Sequence, residues 1–440
     1  MTIWLVEPRD PLIVREGRPF GPDPGASATS LPFPFPSTLA GGVRSRSALD
    51  ENGAFQYERA ENMSPEYRQQ RDQLLEQLKK IRIRGPLLVQ LSQEDNDLAT
   101  YEDEGDDHLA TNTDAWLVPM PNDAQLFATD SKDEALLRRL VPLIPPAGAQ
   151  TDFDQEGKEK QLLLVGLESV NDSQPRKPLS HKLRYWHWKH FQTWLTNPQL
   201  LENEQAMSLS SLTSYLGYED LIRDYRLHVS MDSEKEMGKE GLLFGTSGLE
   251  FTHSGEKAER LHKARRLALA IDVEDKDYKT TPQPGVAGFA GERRIVTWRQ
   301  SKKEFPVCPD DIKKAIKSNE GYCRLVLLTP ASFAQGYYPS WLHTTHAKEC
   351  GVEVKPQAIA VRRPQVVSGW DLARGRPKPS RRLAPAGTVL FLSVRGSNAA
   401  LDTWIGQTWM QCISDDEQDR YDGFGLAVLG TWSGEPVAMR

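Results

Sequence analysis

The sequence predicts an α+β protein of two domains, in each of which helices cover one face of a sheet. Three observations lead there. The chain has 440 residues, long for a single hydrophobic core. Short apolar runs of strand character are set among helix-period segments, and 30 prolines and 32 glycines punctuate them. A helix, a Gly-rich turn and a strand recur in both halves, a weak internal repeat that fits two α/β sandwiches.

The elements follow in order. Ile3 to Val6 reads as a short buried strand, which Leu12 to Val14 extends beyond Pro8 and Pro11. Ser37 is the expected N-cap of a helix whose Leu39 and Val43 lie one turn apart on a core face. Gly41 and Gly42 inside that helix cost about 1 kcal/mol each relative to alanine, which predicts that another backbone approaches closely. Residues 62–80 form a second helix, and Ile81 to Leu91 a strand. Ala115 to Val118 reads as a strand, and Gln161 to Gly166 as a buried one. The stretches from Arg226 to Met231 and from Gly241 to Phe251 read as hairpin arms with a charged tip. "ARRLALAIDV" supplies a strand, and "GVAGFAGERRIVTW" a Gly-rich loop running into another. "CRLVLLTPASF" and "PAGTVLFLSV" are strands. Asn398 to Ile413 is a helix with Leu401, Ile405, Trp409 and Cys412 facing the core. "DGFGLAVLGTW" is a glycine loop that opens a terminal strand.

Charge and cysteine usage narrow the function classes. A net charge of −7 argues against a general nucleic-acid binder. The distribution is uneven. Residues 94–107 carry eight acids and no base, the pattern of a solvated loop. From Lys355 to Arg395 there are nine bases and one acid, Asp371. Gly, Trp and Pro interrupt that stretch, so it reads as a solvated face or as a phosphate-binding surface. Cys308, Cys323, Cys350 and Cys412 lie far apart without a CxxC pair, which speaks against zinc and disulfides and for a reducing cytoplasm. No apolar run is long enough for a bilayer, and the first residues lack the pattern of a signal peptide.

Candidate chemistry is concentrated in loops. Arg15 and Arg18 sit in a segment stiffened by Pro19, Pro22 and Pro24, ahead of a helix start whose dipole favours an anion. Guanidinium forks suit phosphate oxygens, although surface salt bridges would use the same residues. "HKLRYWHWKHF" mixes aromatic and basic groups as single-stranded nucleic-acid binders do, but Trp186 and Trp188 equally suit an interdomain helix. "GFGLAVLG" is not a dinucleotide loop. Val428 replaces the third glycine, and too little chain follows for a βαβ unit. Its glycines serve either a tight turn or a close approach of amide groups to a phosphate. His343 and His346 lack the HExxH glutamate, and His187 with His190 suits either metal-free acid–base cleavage of RNA or an ordinary surface or packing role. The reading is a protein without catalytic residues, metal or cofactor.

Six stretches, in order from Pro11 to Trp432, resemble one family: "PLIVREGRPFG", "FPSTLAGGVRSR", "EGLLFGTSGLEF", "CRLVLLTPASF", "VSGWDLARGRPKPSRRLAPAGTVLFL" and "DGFGLAVLGTW". They are similar to the third subunit of the Cmr complex, the type III-B CRISPR effector, within the RAMP superfamily. The resemblance implies two ferredoxin-like (RRM/RAMP) domains with Gly-rich loops and inserted hairpins. The N-terminal domain would span residues 1–305, with the acidic loop 94–107 and a hairpin at about 226–251, and the C-terminal domain 320–440. It implies a non-catalytic subunit that binds the 5′ tag of crRNA, docks the large polymerase-type subunit, touches the adjacent backbone subunit and meets target RNA indirectly. The family motifs carry onto Arg15, Gly17, Arg18, Ser37 and Arg44, and onto Gly369, Trp370, Lys378 and Arg381. The two glycine loops add Gly291, Arg293, Arg294, Gly423 and Gly425. A RAMP endoribonuclease that processes precursor crRNA, or a purely protein–protein adaptor, are the alternatives.

Overall fold

The computed structural model describes residues 2–14, 27–28, 30–50, 53–54, 64–91, 115–131, 133–149, 162–168, 177–179, 183–202, 206–232, 234–235, 237–253, 265–274, 282–343, 349–371 and 376–439. The fold is mixed α and β. Among the described residues there are seven α-helices, and the nine-stranded and five-stranded sheets are antiparallel throughout. The acidic stretch 94–107 lies outside the described residues.

Alternation along Thr2–Pro8 explains the first sheet. Trp4 and Val6 point to one face and Ile3 and Leu5 to the other, all at most 4% exposed, so this strand must be covered on both sides. Arg265–Glu274 and Arg294–Gln300 flank it, and Arg82–Gln90, Trp116–Pro119, Tyr185–His187 and Gly217–Tyr218 extend the sheet outward. Helices α1 (Pro36–Ser47) and α2 (Pro65–Lys79) cover the Trp4 face, through Leu39, Ala40, Val43 and Leu78. The Ile3 face packs against α3 (Trp188–Thr196) and on into the second sheet.

The second sheet orders Glu353–Ala360, Val389–Arg395, Tyr322–Leu327, Leu426–Thr431 and Gln411–Cys412. Its central strands are largely apolar, with Arg324 and Ser393 as buried polar exceptions, and α5 (Asp310–Ser318) and α6 (Asn398–Thr408) bury Ile312, Ile316, Leu401, Trp404 and Ile405 against the shared core. α4 (Leu209–Leu216) lies in the first half, and the short α7 (Glu417–Tyr421) precedes the last glycine loop. Two ribbons project from this body. One pairs Ile222–Asp232 with Met237–Glu250, and the other pairs Gln365–Asp371 with Arg376–Leu383. No helix among the described residues is long and apolar enough to cross a membrane.

Several local expectations are corrected. Helix α1 begins at Pro36, with Phe35 as N-cap and Ser37 in the first turn, because proline lacks an N–H and has a preset φ. A Cβ at Gly42 would lie 2.5 Å from the Phe289 ring and 3.0 Å from Trp298, while Gly41 has nothing within 4 Å. Aromatic side chains, not a backbone, require that glycine. The expected buried strand before Gly166 is Leu164–Leu167, half-exposed at the margin of a smaller sheet. Gly285–Phe289 is itself a strand, paired with Arg294–Gln300, so the first-half glycines form a hairpin rather than a loop after a helix. Helix α6 stops at Thr408, where Trp409 turns extended and Met410 takes a φ of 53°. The strand Leu426–Thr431 is not terminal, because Val437–Ala438 returns to pair with Leu143 and Ile144.

Candidate nucleic-acid interface

Helix α1 is where motifs distant in sequence converge. At its start, Phe35 packs in a small cluster with Val367 and Leu383 from the Gln365–Leu383 ribbon and with Phe424 from the last glycine loop. Along its middle, Gly42 receives the Phe289 ring from the other glycine hairpin. At its end, Arg46 donates to the carbonyls of Gln283 and Pro284, at 2.9 and 2.8 Å, just before that hairpin. One helix therefore holds both glycine turns and the basic ribbon.

The glycine turns close on the protein itself. Gly423 and Gly425 have φ of +97° and +83°, a region that side chains avoid. The Gly423 amide donates to Arg420 at 3.3 Å, and the Gly425 amide to Pro330 at 2.8 Å. A Cβ at Gly423 would sit 2.6 Å from the Gly85 carbonyl, so this turn is wedged against the first sheet. The Gly291 amide donates to the Ile13 carbonyl at 2.8 Å. These three amides are engaged within the fold, which favours the structural side of the two readings given to such glycines.

The arginines divide in two. Arg44 pairs with Asp422 at 2.7 Å and also donates to the carbonyls of Leu78 and Lys79, at 3.0 and 3.3 Å. It ties α1 to the end of α2 and to the glycine turn. Arg381 pairs with Asp419 and lies over the Phe424 ring at 5.3 Å. Arg294 pairs with Glu292 at 2.8 Å. Asp419 and Asp422 are buried, so removing either guanidinium would strand a carboxylate. Arg293 differs: it sits at the tip of the turn with φ of 49°, exposed. Lys378 is also exposed, opposite Gly369 on the ribbon, with Arg382 exposed further along.

Gly369 leaves room beside its partner strand: a Cβ there would meet only the Lys378 side chain, at 3.8 Å. Trp370 pairs with Pro377 in the ladder. Ser37 is half-exposed at the start of α1. Arg15, Gly17 and Arg18 lie outside the described residues, but the chain on either side is anchored. The Val14 amide donates to Ser30 Oγ at 2.9 Å, and the Leu31 amide to the Val14 carbonyl at 2.7 Å. Asp419 and Asp422 escaped the sequence reading. The acidic run from Asp415 to Asp422, immediately before a glycine turn, was the signal available for them.

The histidine pair is poorly placed for acid–base work. His190 lies tilted against Tyr215 at 4.1 Å, and burial first, then the His187 and Lys189 charges, lower it to about 4. His187 lies against Tyr218 at 5.6 Å. Trp186 and Trp188 are fully buried, Trp186 edge-on to Trp194 and Trp188 edge-on to Trp409 across the seam between the sheets. They pack the start of α3 into the core between the sheets.

Two antiparallel sheets on one core, with a basic ribbon and two glycine turns clasped around a single helix, define an α+β scaffold. The chain belongs to the Cas_Cmr3 family of CRISPR-associated proteins, matching it over residues 4–432, and is thus a Cmr-type subunit. This bears out the family resemblance seen in the motifs. Among solved structures, it is similar to a chain of Type III-B Cmr-beta bound to cognate target RNA, at 14% identity and a TM-score of 0.42. A chain of the same assembly bound to cognate target RNA and AMPPnP, in state 1, gives 13% and 0.41. Both alignments cover 88% of this chain and 86% of the other. No curated protein matches the chain.

Proposed function

We propose that this chain is the non-catalytic subunit of a type III-B Cmr interference complex that holds the 5′ tag of crRNA. It would dock the large polymerase-type subunit, adjoin the first backbone subunit and meet target RNA only through the guide. In this reading the residues 1–305 and 320–440 form two ferredoxin-like domains, and the complex works in the cytoplasm.

One observation carries the reading: exposed cations stand on a framework whose other cations are already neutralised. Arg44, Arg294 and Arg381 pair with carboxylates, whereas Lys378 and Arg382 on the ribbon and Arg293 on the turn project outward. Sequence-tolerant RNA binding needs such cations on rigid elements. The outer side of the longer ribbon, with Tyr225, Leu227, Val229 and Met231 exposed, is apolar and favours a protein neighbour in addition. The ribonuclease alternative would rely on His187 and His190, of which His190 is lowered to about 4 and packed at a tilt against Tyr215.

The test is protection of the 5′ tag in the assembled complex carrying Arg15→Ala, Arg18→Ala and Lys378→Ala together. Weakened protection and a shallower salt dependence of guide retention are expected, since each phosphate contact on a single strand contributes about 0.7 to the slope. Protection equal to that of the unmodified complex would remove the proposal.

A further inference from the structure

Gly285–Phe289 is the last strand of the nine-stranded sheet, and among the described residues it pairs with Arg294–Gln300 alone. Alternate amides and carbonyls of an edge strand point away from its neighbour, and folded proteins ordinarily obstruct them with charge, proline, a bulge or brevity. The other edges of the two antiparallel sheets show those devices. Glu353–Ala360 carries Glu353, Lys355, Pro356 and a register shift between Pro356 and Ala358. Leu163 also bridges to Ala358 there, its amide donating to the Gln357 carbonyl at 2.8 Å. Gly217–Tyr218 and Gln411–Cys412 have two residues each. Gly285–Phe289, by contrast, has no charge and no proline, and its register runs without a shift.

The strand is held from both ends. Before it, Arg46 grips the Gln283 and Pro284 carbonyls, and Gln283 Nε2 donates to the Asp50 carbonyl at 3.0 Å. After it, the buried Phe289 ring lies edge-on to Trp298 at 5.8 Å, and Gly291 pairs with Ile13. An edge fixed in this way loses little conformational freedom when a second strand joins it.

Its two faces differ. Ala287 and Phe289 turn toward α1 and the core around Trp298. Val286, 65% exposed, and Gly288 turn the other way, opposite Thr297 and Ile295, and Ile295 is 41% exposed. Arg9 stands on that outer face. Its Nε donates to Thr297 Oγ1 at 3.0 Å, and half of its side chain stays exposed. At the start of the strand, Arg46 Nη2 lies 3.9 Å from where a Cβ on Gly285 would be. No carboxylate pairs with Arg46 among the described residues. The edge therefore offers alternating main-chain donors and acceptors, two apolar side chains beside them and a guanidinium on each face.

We infer that this edge receives an extended strand of a neighbouring protein subunit. The added strand lays apolar side chains over Val286 and Ile295 and brings an acidic side chain to Arg46 or Arg9. RNA fits less well, because phosphate oxygens only accept hydrogen bonds and leave the outward carbonyls unmatched. A second copy of the chain also fits less well, since it sets arginines against arginines. The interface lies apart from the cations assigned to the guide, so it neither requires nor weakens the RNA-holding reading.

Hydrogen exchange tests it, read at peptides covering residues 285–289 in the full chain alone, with guide RNA alone, and in the assembled complex. Val286→Lys, at an exposed position, adds to this edge the charge that obstructed edges carry. The outward amides are expected to exchange fast in the chain alone and with RNA. In the complex they should exchange about tenfold more slowly, the effect of one added hydrogen bond. Val286→Lys is expected to abolish that slowing or to keep the chain out of the complex, with the unfolding midpoint of the free chain unchanged. Slowing with guide RNA alone, or with rising concentration of the chain alone, would assign the edge to RNA or to a second copy and overturn the inference. Equal exchange in every state, or slowing in the complex that Val286→Lys leaves intact, would overturn it as well.

Discussion

Arg44 and Arg381 show that a guanidinium in a family motif can act on the protein rather than on a ligand. Each faces a buried carboxylate supplied from the run 415–422, far away in the chain. Nothing near Arg44 in sequence announces Asp422, so its role could not be read locally, whereas Arg293 and Lys378 remain exposed as a binding cation must. His190 gives a prediction at the same scale. It is held at about 4 against a usual 6.5, so between these values the unfolded chain binds a proton that the native chain refuses. Stability therefore rises with pH through that window and is lost on acidification from 7 toward 4. The urea midpoint measured against pH should show this slope, and His190→Gln should reduce it; identical profiles would refute the assignment.

Elements were legible where their periodicity is local. Leu39 and Val43 on α1, the buried strand at Ile3–Val6 and the arms of the Ile222–Glu250 ribbon all lie where the local pattern places them. Boundaries were less legible, because Met410 adopts positive φ only where the Leu426–Thr431 strand captures its amide: Met410 N donates to Ala427 at 2.7 Å. The adjacent glycines of α1 separate propensity from packing. Gly41 faces open space, so Gly41→Ala should stabilise by about 1 kcal/mol through backbone entropy. Gly42→Ala should instead cost about 1–3 kcal/mol, because its Cβ would push on the Phe289 and Trp298 rings. Chemical denaturation of both variants checks the pair; equal shifts would show that the rings yield freely.

At the scale of the molecule, the two sheets are joined by more than apolar contact. Arg324 in the second sheet, 2% exposed, pairs with Asp123, which is fully buried and also accepts from Trp194 Nε1 at 2.9 Å. Arg324 further donates to the carbonyls of Thr431 and Trp194. Removing one partner leaves a charge without solvent or counter-ion, so Asp123→Ala should destabilise by about 3–5 kcal/mol. The urea midpoint measures it, and a loss below 1 kcal/mol would mean that water reaches Arg324. Val437–Ala438, pairing in parallel with Leu143–Ile144, closes the chain end onto the first half.

Sequence by itself determined the class of the fold, the apolar faces of its strands and helices, and the family, since these depend on residues close together or on motifs kept in order. Only the tertiary structure decided which cations are free to meet a ligand. Neutralisation falls off within a few ångströms, and the carboxylate that neutralises Arg44 arrives from hundreds of residues away through packing of the sheets.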